Sequence, residues 1–238
     1  MQNLTRAVAT VGSQHSSSWP GSGFGGQWGA AGARVPFSAV CEQAYLRQVS
    51  LSSTGYYKTP DIAYDKKKAH GKPFHYFAYG ACVAEVELDG TTGMRKVRRV
   101  DVLHDVGDSL NPAIDRGQVE GALVQGIGWL TAEELKWDAR GRLLSHSAST
   151  YQIPSFSDAP AVMKIALYDD LVDDAAQPGV VHGSKAVGEP PFMLALAVRE
   201  ALKEAVAAFA TTPGVIDLPS PLTHEVLFHA VKHARSTP

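Results

Sequence analysis

FHYFAYGACVAEVELDGTTGMRKVRRVDVLHDV, residues 74–106, decides the fold. In its first half Ala84, Val86 and Leu88 alternate with Glu85, Glu87 and Asp89. That is the two-residue period of a strand with one buried face. DGTTG at 89–93 is a turn, and the alternation resumes through Val100 and Val102. The two halves predict a β-hairpin. Beyond it the period changes. Asn111 and Pro112 read as an N-cap and a first helical residue, opening a helix that runs to about Leu130. Two more helices, over 190–210 and 220–235, each open with proline. Leu143 onward predicts a second set of shorter strands, and VMKIALYD at 162–169 another strand. Upstream, PFSAVCEQAYLRQV at 36–49 predicts a short helix with Ser38 as N-cap and Val40, Ala44 and Val49 on its apolar face. Antiparallel hairpins packed with helices place the chain in the α+β class.

The bulk properties exclude several functions. The chain has 238 residues, 45% of them hydrophobic and 19% charged, enough for a real core. A net charge of −2 gives no electrostatic case for nucleic acid or an anionic membrane as partner. The two cysteines, Cys41 and Cys82, have no CxxC spacing and read as reduced thiols. No apolar run reaches membrane-span length, and the N-terminus has no signal-peptide core. A soluble, cytoplasmic protein is the expectation. Residues 1–33 are rich in Gly and Ser and read as a disordered or unrelated leader, leaving 34–238 as the folded domain. GSGFGG at 21–26 fits GxGxxG but follows no strand, so it makes no dinucleotide site. DDLVDD at 169–174 reads as a solvated acidic turn.

Two stretches could carry chemistry. The first is the helix PAIDRGQVEGALVQGIGWL, residues 112–130, with Gly117, Gly121, Gly126 and Gly128. Each interior glycine costs about 0.5–1 kcal/mol relative to alanine, so something approaches this backbone closely. Gln118 and Gln125 are seven apart and share a face. Close helix packing with exposed glutamines explains the pattern, and so does a ligand on an amide-bearing ridge. The second stretch is KAVGEPPFM, residues 185–193. A residue before proline avoids the helical region, so Glu189 is expected to be extended or turn-like. Pro190 and Pro191 stiffen its approach to the next helix, whose first N–H groups need acceptors. Behind them Leu194, Val198, Ala201, Leu202, Ala205 and Phe209 are expected to face a core. Glu189 is then either a capping acid or a general base on a rigid mount.

SKAVGEPPFMLALAVREAL (184–202) closely resembles the active-site segment of the xanthine dehydrogenases, within the molybdenum hydroxylase family. DVLHDVGDSLNPAIDRGQVEGALVQGIGWLTAEEL (101–135), STYQIPSFSDAP (149–160) and SLSSTGYYKTP (50–60) resemble the same family in the same order. Several long motifs in register are more specific than any short one. The resemblance covers roughly Arg34 to the C-terminus. It implies the fold of the C-terminal molybdopterin-binding domain and a molybdenum–molybdopterin cofactor, with the metal held through the pterin and not by side chains. It implies that Glu189 is the general base in hydroxylation of a purine such as hypoxanthine or xanthine with water-derived oxygen. It places Gln118 at the pterin, and Gln125, Lys185 and Gly188 around the cofactor. It implies partners elsewhere: an upstream molybdenum-binding lobe, [2Fe–2S] clusters and FAD in other domains or subunits, and an oligomeric full enzyme. An aldehyde oxidase-type hydroxylase shares these motifs. A truncated remnant that keeps the fold without cofactor or activity is the other alternative, because family chains are several times longer.

Overall fold

The computed structural model describes residues 27–28, 35–168, 180–212, 214 and 216–236. The predicted acidic turn at 169–174 and most of the 1–33 leader lie outside the described residues. The chain divides into two compact units, Met1–Lys58 and Thr59–Pro238.

In the first unit, β1 (Gln27–Trp28) pairs antiparallel with β2 (Val35–Pro36), and α1 (Phe37–Leu46) follows directly. The helix lies where the sequence predicts it, but its cap does not. Pro36, at φ −57° and ψ 139°, is the N-cap and makes no side-chain cap hydrogen bond. Proline's fixed φ sets the extended-to-helix switch two residues before Ser38. None of α1 is buried, so the expected face of Val40 and Ala44 covers no core among the described residues.

The second unit carries the hairpin that the sequence predicts. A small antiparallel pair, β3 (Ala63–Asp65) and β4 (His70–Lys72), comes first. Then β5 (Gly80–Leu88) pairs antiparallel with β6 (Arg95–His104). Asp89 organises the turn: its carboxylate accepts from the Thr91 N–H at 2.8 Å and the Thr92 hydroxyl at 2.7 Å. Gly93 closes the turn at φ +74°, a conformation that favours glycine. On the other edge of β6 lies β7 (Val162–Leu167), and it runs parallel. The sheet is therefore mixed, not purely antiparallel. The reason is the connection: β6 reaches β7 through α2 (Pro112–Thr131), and a crossover of that length permits a parallel return.

The shorter strands expected from Leu143 do not form. That stretch contributes one isolated bridge, Trp137 to Leu143. Its hydroxyls and carboxylates instead fold it locally. Ser147 and Thr150 bond to each other's backbone and side chains, and Ser155 and Asp158 form a reciprocal capping box. Such bonds compete with a strand ladder.

The core forms where the sheet meets the helices. Val100 and Val102 of β6 pack with Val119, Leu123, Ile127 and Leu130 of α2. The predicted helix at 190–210 splits into a 3-10 turn, Pro190–Ala195, and α3 (Leu196–Ala207). It contributes Ala195, Val198, Leu202 and Val206 to the core, while Leu194 and Phe209 pack at its margin. Last, α4 (His224–Ser236) adds Leu227, Val231 and Ala234. The opposite sheet face carries Val83 and Leu103, both exposed. Among the described residues no helix is long and apolar enough to cross a membrane.

The glycines of α2 divide into two kinds. A Cβ at Gly126 would sit 2.5 Å from the Phe192 carbonyl oxygen, and one at Gly128 2.2 Å from Pro154. These two are packing glycines. A Cβ at Gly117 or Gly121 would meet nothing within 4 Å. Packing among the described residues does not require glycine at either position. In urea unfolding, Gly126→Ala is expected to destabilise the chain by about 1–3 kcal/mol through overpacking. Gly121→Ala is expected to stabilise it by about 0.5–1 kcal/mol through helix propensity.

His104, at the end of β6, is 1% exposed, and neither ring nitrogen has a hydrogen-bond partner among the described residues. Burial lowers its pKa, and Lys185 adds to that against an opposing pull from Asp105. The neutral ring is thus favoured in the folded chain. The unfolded chain takes up the proton first as pH falls. Stability is therefore full above the ordinary histidine pKa of about 6.5 and declines below it. His104→Leu removes an unsatisfied group and is expected to flatten that decline between pH 7.5 and 5.5. Equal declines in the two proteins would contradict the assignment.

Candidate functional site

The site is built at the end of β6, where chain segments from three parts of the sequence meet. The chain leaves β6 through Asp105, Val106 and Gly107 on its way to α2. The segment 183–186 lies against it. Asp108 N–H donates to Gly183 O at 3.0 Å, and Lys185 N–H donates to Val106 O at 2.9 Å. Gly107 and Ser184 form an antiparallel bridge. Gly107 has φ +62°, and a Cβ there would come within 2.1 Å of Gly183 O. Only glycine permits this seam. On the other flank, Ala186 N–H donates to the Tyr76 hydroxyl at 2.9 Å.

Lys185 holds the seam from inside. Its side chain is 1% exposed and that of Asp105 5%. The ammonium donates to an Asp105 carboxylate oxygen and to Phe77 O, the latter at 2.9 Å. The other Asp105 oxygen accepts from Gly107 N–H at 2.8 Å. Both charges are thus paired and hydrogen-bonded, which is what burial of an ion pair demands. Lys185, expected around a cofactor, has its charge spent inward.

Four residues on, Glu189 lies in a bend at φ −109° and ψ −33°. Turn-like is correct and extended is not: its dihedrals fall in the helical region despite Pro190. Its carbonyl accepts from Phe192 N–H at 3.0 Å, which holds this geometry. The side chain is exposed and makes no cap hydrogen bond to the turn it precedes. The capping explanation for this acid therefore has no geometry behind it. After it, the 3-10 turn packs on α2 where Gly126 admits the Phe192 carbonyl and the Trp129 and Phe192 rings lie 5.2 Å apart.

α2 presents the other wall. Asn111 caps it by accepting from Ile114 N–H at 3.3 Å. Gln118, Gly121 and Gln125 are exposed along one face, with Gly117 beside them. Gln118 Oε1 lies 3.5 Å from where a Gly188 Cβ would stand. The structure thus brings together Gln118, Gly188 and the turn carrying Glu189. Gln125 shares the exposed face, about 10 Å further along the helix axis. Among the described residues no cluster of His, Cys, Asp or Glu could hold a metal ion directly. Asp105 and Tyr76, which the sequence analysis does not single out, turn out to grip the segment. Asp105 lies 80 residues from Lys185 and Tyr76 110 from Ala186, so no local spacing reveals them.

The chain resembles proteins of known function. The molybdopterin cofactor-binding domain family matches residues 4–160. Xanthine dehydrogenase/oxidase of Rattus norvegicus is 44% identical over 200 residues, covering 82% of this chain and 15% of that protein. Xanthine dehydrogenase of Oryza sativa subsp. japonica is 43% identical over 199 residues, covering 79% of this chain and 14% of that protein. The chain thus spans about a seventh of the curated relatives' length. Quinoline 2-oxidoreductase from Pseudomonas putida 86 superposes with a TM-score of 0.58 at 25% identity, over 88% of this chain and 25% of that one. Aldehyde oxidoreductase from Desulfovibrio gigas shares the fold, with a TM-score of 0.60 at 23% identity, over 80% of this chain and 20% of that one. The α+β class holds. With a family match over more than half its length, the chain belongs to the molybdopterin cofactor-binding domain family.

Proposed function

We propose that this chain forms the base-bearing wall of a molybdenum hydroxylase that oxidises purines such as hypoxanthine and xanthine, with Glu189 as general base. The observation that carries the reading is Glu189 itself: exposed, free of any capping role, and mounted beside Gly188 and Gln118. The residues fit a flat, polar cofactor. Gly117 and Gly121 leave α2 bare on one face, with open space where side chains would stand. Gln118 and Gln125 offer amides that both donate and accept along that face. Molybdenum–molybdopterin, when bound, supplies the redox centre that accepts the substrate's electrons.

The remaining work falls to the chain. Gln118 and Gln125 would hold the pterin by hydrogen bonds, and Gly188 would leave room for it. Lys185 does not reach it, because its ammonium is buried against Asp105. Glu189 takes a proton onto a carboxylate oxygen from the water-derived nucleophile that attacks an electron-poor substrate carbon. A base must stand within hydrogen-bond reach of that proton, which rewards a stiff mount. Purines are favoured because curated relatives at 40–46% identity to this chain are xanthine dehydrogenases. Iron–sulfur and FAD partners would take the electrons on, and other lobes of the enzyme would complete the pocket.

Two experiments test this in an assembly that supplies those lobes. Glu189→Gln should retain molybdenum and pterin, measured by mass spectrometry, and lose at least about a hundredfold in xanthine turnover, the contribution of a positioned base. Turnover unchanged in that variant would end the assignment. Gly121→Val should lower pterin content several-fold while the chain stays folded by circular dichroism. Full pterin content would show that the bare face serves something else.

A further inference from the structure

The Asp105–Lys185 pair is poorly explained by stability. Two charges are taken out of water at 5% and 1% exposure, and such pairs are often replaceable by apolar residues without loss. Its geometry is better explained by position. Within the 183–189 segment, it is Lys185 whose side chain enters the interior to grip another charged group. It does so with two charge-assisted bonds, to Asp105 and to Phe77 O. These bonds fix its direction as well as its depth. Asp105 is itself fixed, because it follows β6 directly and accepts from the Gly107 N–H. Its own N–H donates to Tyr79 O at 2.8 Å. Tyr76 holds the next residue, Ala186, and Phe192 N–H holds the Glu189 carbonyl. The turn bearing Glu189 is thus pinned on both sides while its carboxylate stays exposed.

We infer that Asp105 is a positioning residue: through Lys185 it sets where the Glu189-bearing turn stands against α2. For its catalytic consequence the inference rests on the proposed role of Glu189. Asp105 and Lys185 touch neither substrate nor cofactor. They act by removing the freedom of a segment that would otherwise sample many placements, and a displacement of about 1 Å can cost a hundredfold in rate.

The test uses the double variant Asp105→Asn with Lys185→Met, which discharges the pair at similar volume. The side-chain amide introduced in place of the carboxylate can still accept from Gly107 N–H. Hydrogen exchange of the 238-residue chain, followed by mass spectrometry, should show at least tenfold faster exchange in peptides covering 184–192. β6 and α2 should stay within twofold of the parent, with the urea midpoint little changed. Uniformly faster exchange with a lower midpoint would mean a merely structural pair and would overturn the inference, as would unchanged exchange at 184–192. If the double variant does not fold, Asp105→Asn alone weakens the same pair while keeping a hydrogen-bond acceptor for Lys185 and should give the same local pattern; no local change there also overturns it. In the assembled enzyme the double variant should lose at least tenfold in kcat with KM within twofold. An unchanged kcat where Glu189→Gln is inactive would refute the positioning role and leave the base standing. Local loosening together with a fully active Glu189→Gln would refute the base and leave the positioning of the turn intact.

Discussion

A buried ion pair joins the end of the central strand to the segment that leads into the Glu189 turn. Asp105 follows directly from β6, and Lys185 belongs to a segment 80 residues later. Desolvating the two charges costs several kcal/mol per ion, and their mutual attraction roughly offsets this only with complete hydrogen bonding. That bonding is present: one carboxylate oxygen takes the ammonium, the other the Gly107 amide, and Phe77 O takes a further ammonium proton. The seam at Gly107 and Gly183 depends on the same register, since each glycine adopts a positive φ and leaves no room for a side chain. The hydrophobic core explains why the domain folds. The ion pair explains why this turn stands in one place.

The rest of the unit serves that placement. The mixed sheet gives a rigid strand end, and α2 crosses from β6 to β7 over the same core. The glycines of α2 divide the helix by task. Gly126 and Gly128 let the 3-10 turn and Pro154 pack close, while Gly117 and Gly121 leave an open face beside Gln118. A polar ligand could lie on that face without displacing any packed side chain. The outward sheet face mixes exposed Val83 and Leu103 with charged Glu85, Arg99 and Asp101.

Much of this was legible in the sequence, for physical reasons. The β5–β6 hairpin and the helix from Pro112 follow from local period and capping, which need no tertiary knowledge. The direction of β7 was not legible, because it depends on where a crossover returns and not on any residue within the strand. The strands expected from Leu143 failed because hydroxyls around Ser147 and Ser155 offered the backbone closer partners. Glu189 was legible as an acid on a turn; that it makes no cap hydrogen bond was not. Gln118 and Gly188 come together in space although 70 residues of chain separate their motifs. Lys185 shows the limit. Its segment was legible, but the direction of its side chain depends on Asp105, Phe77 and the seam between them.

The most direct measurement is the electron density of the cofactor-loaded protein around residues 105 and 185–189. The predicted result is molybdopterin lying along Gln118 and Gly121 with its edge at Gly188, the Glu189 carboxylate facing the reacting centre, and the Lys185 ammonium still bound to Asp105. A cofactor seated away from α2, or a Lys185 side chain swung out to meet it, would contradict the central claim.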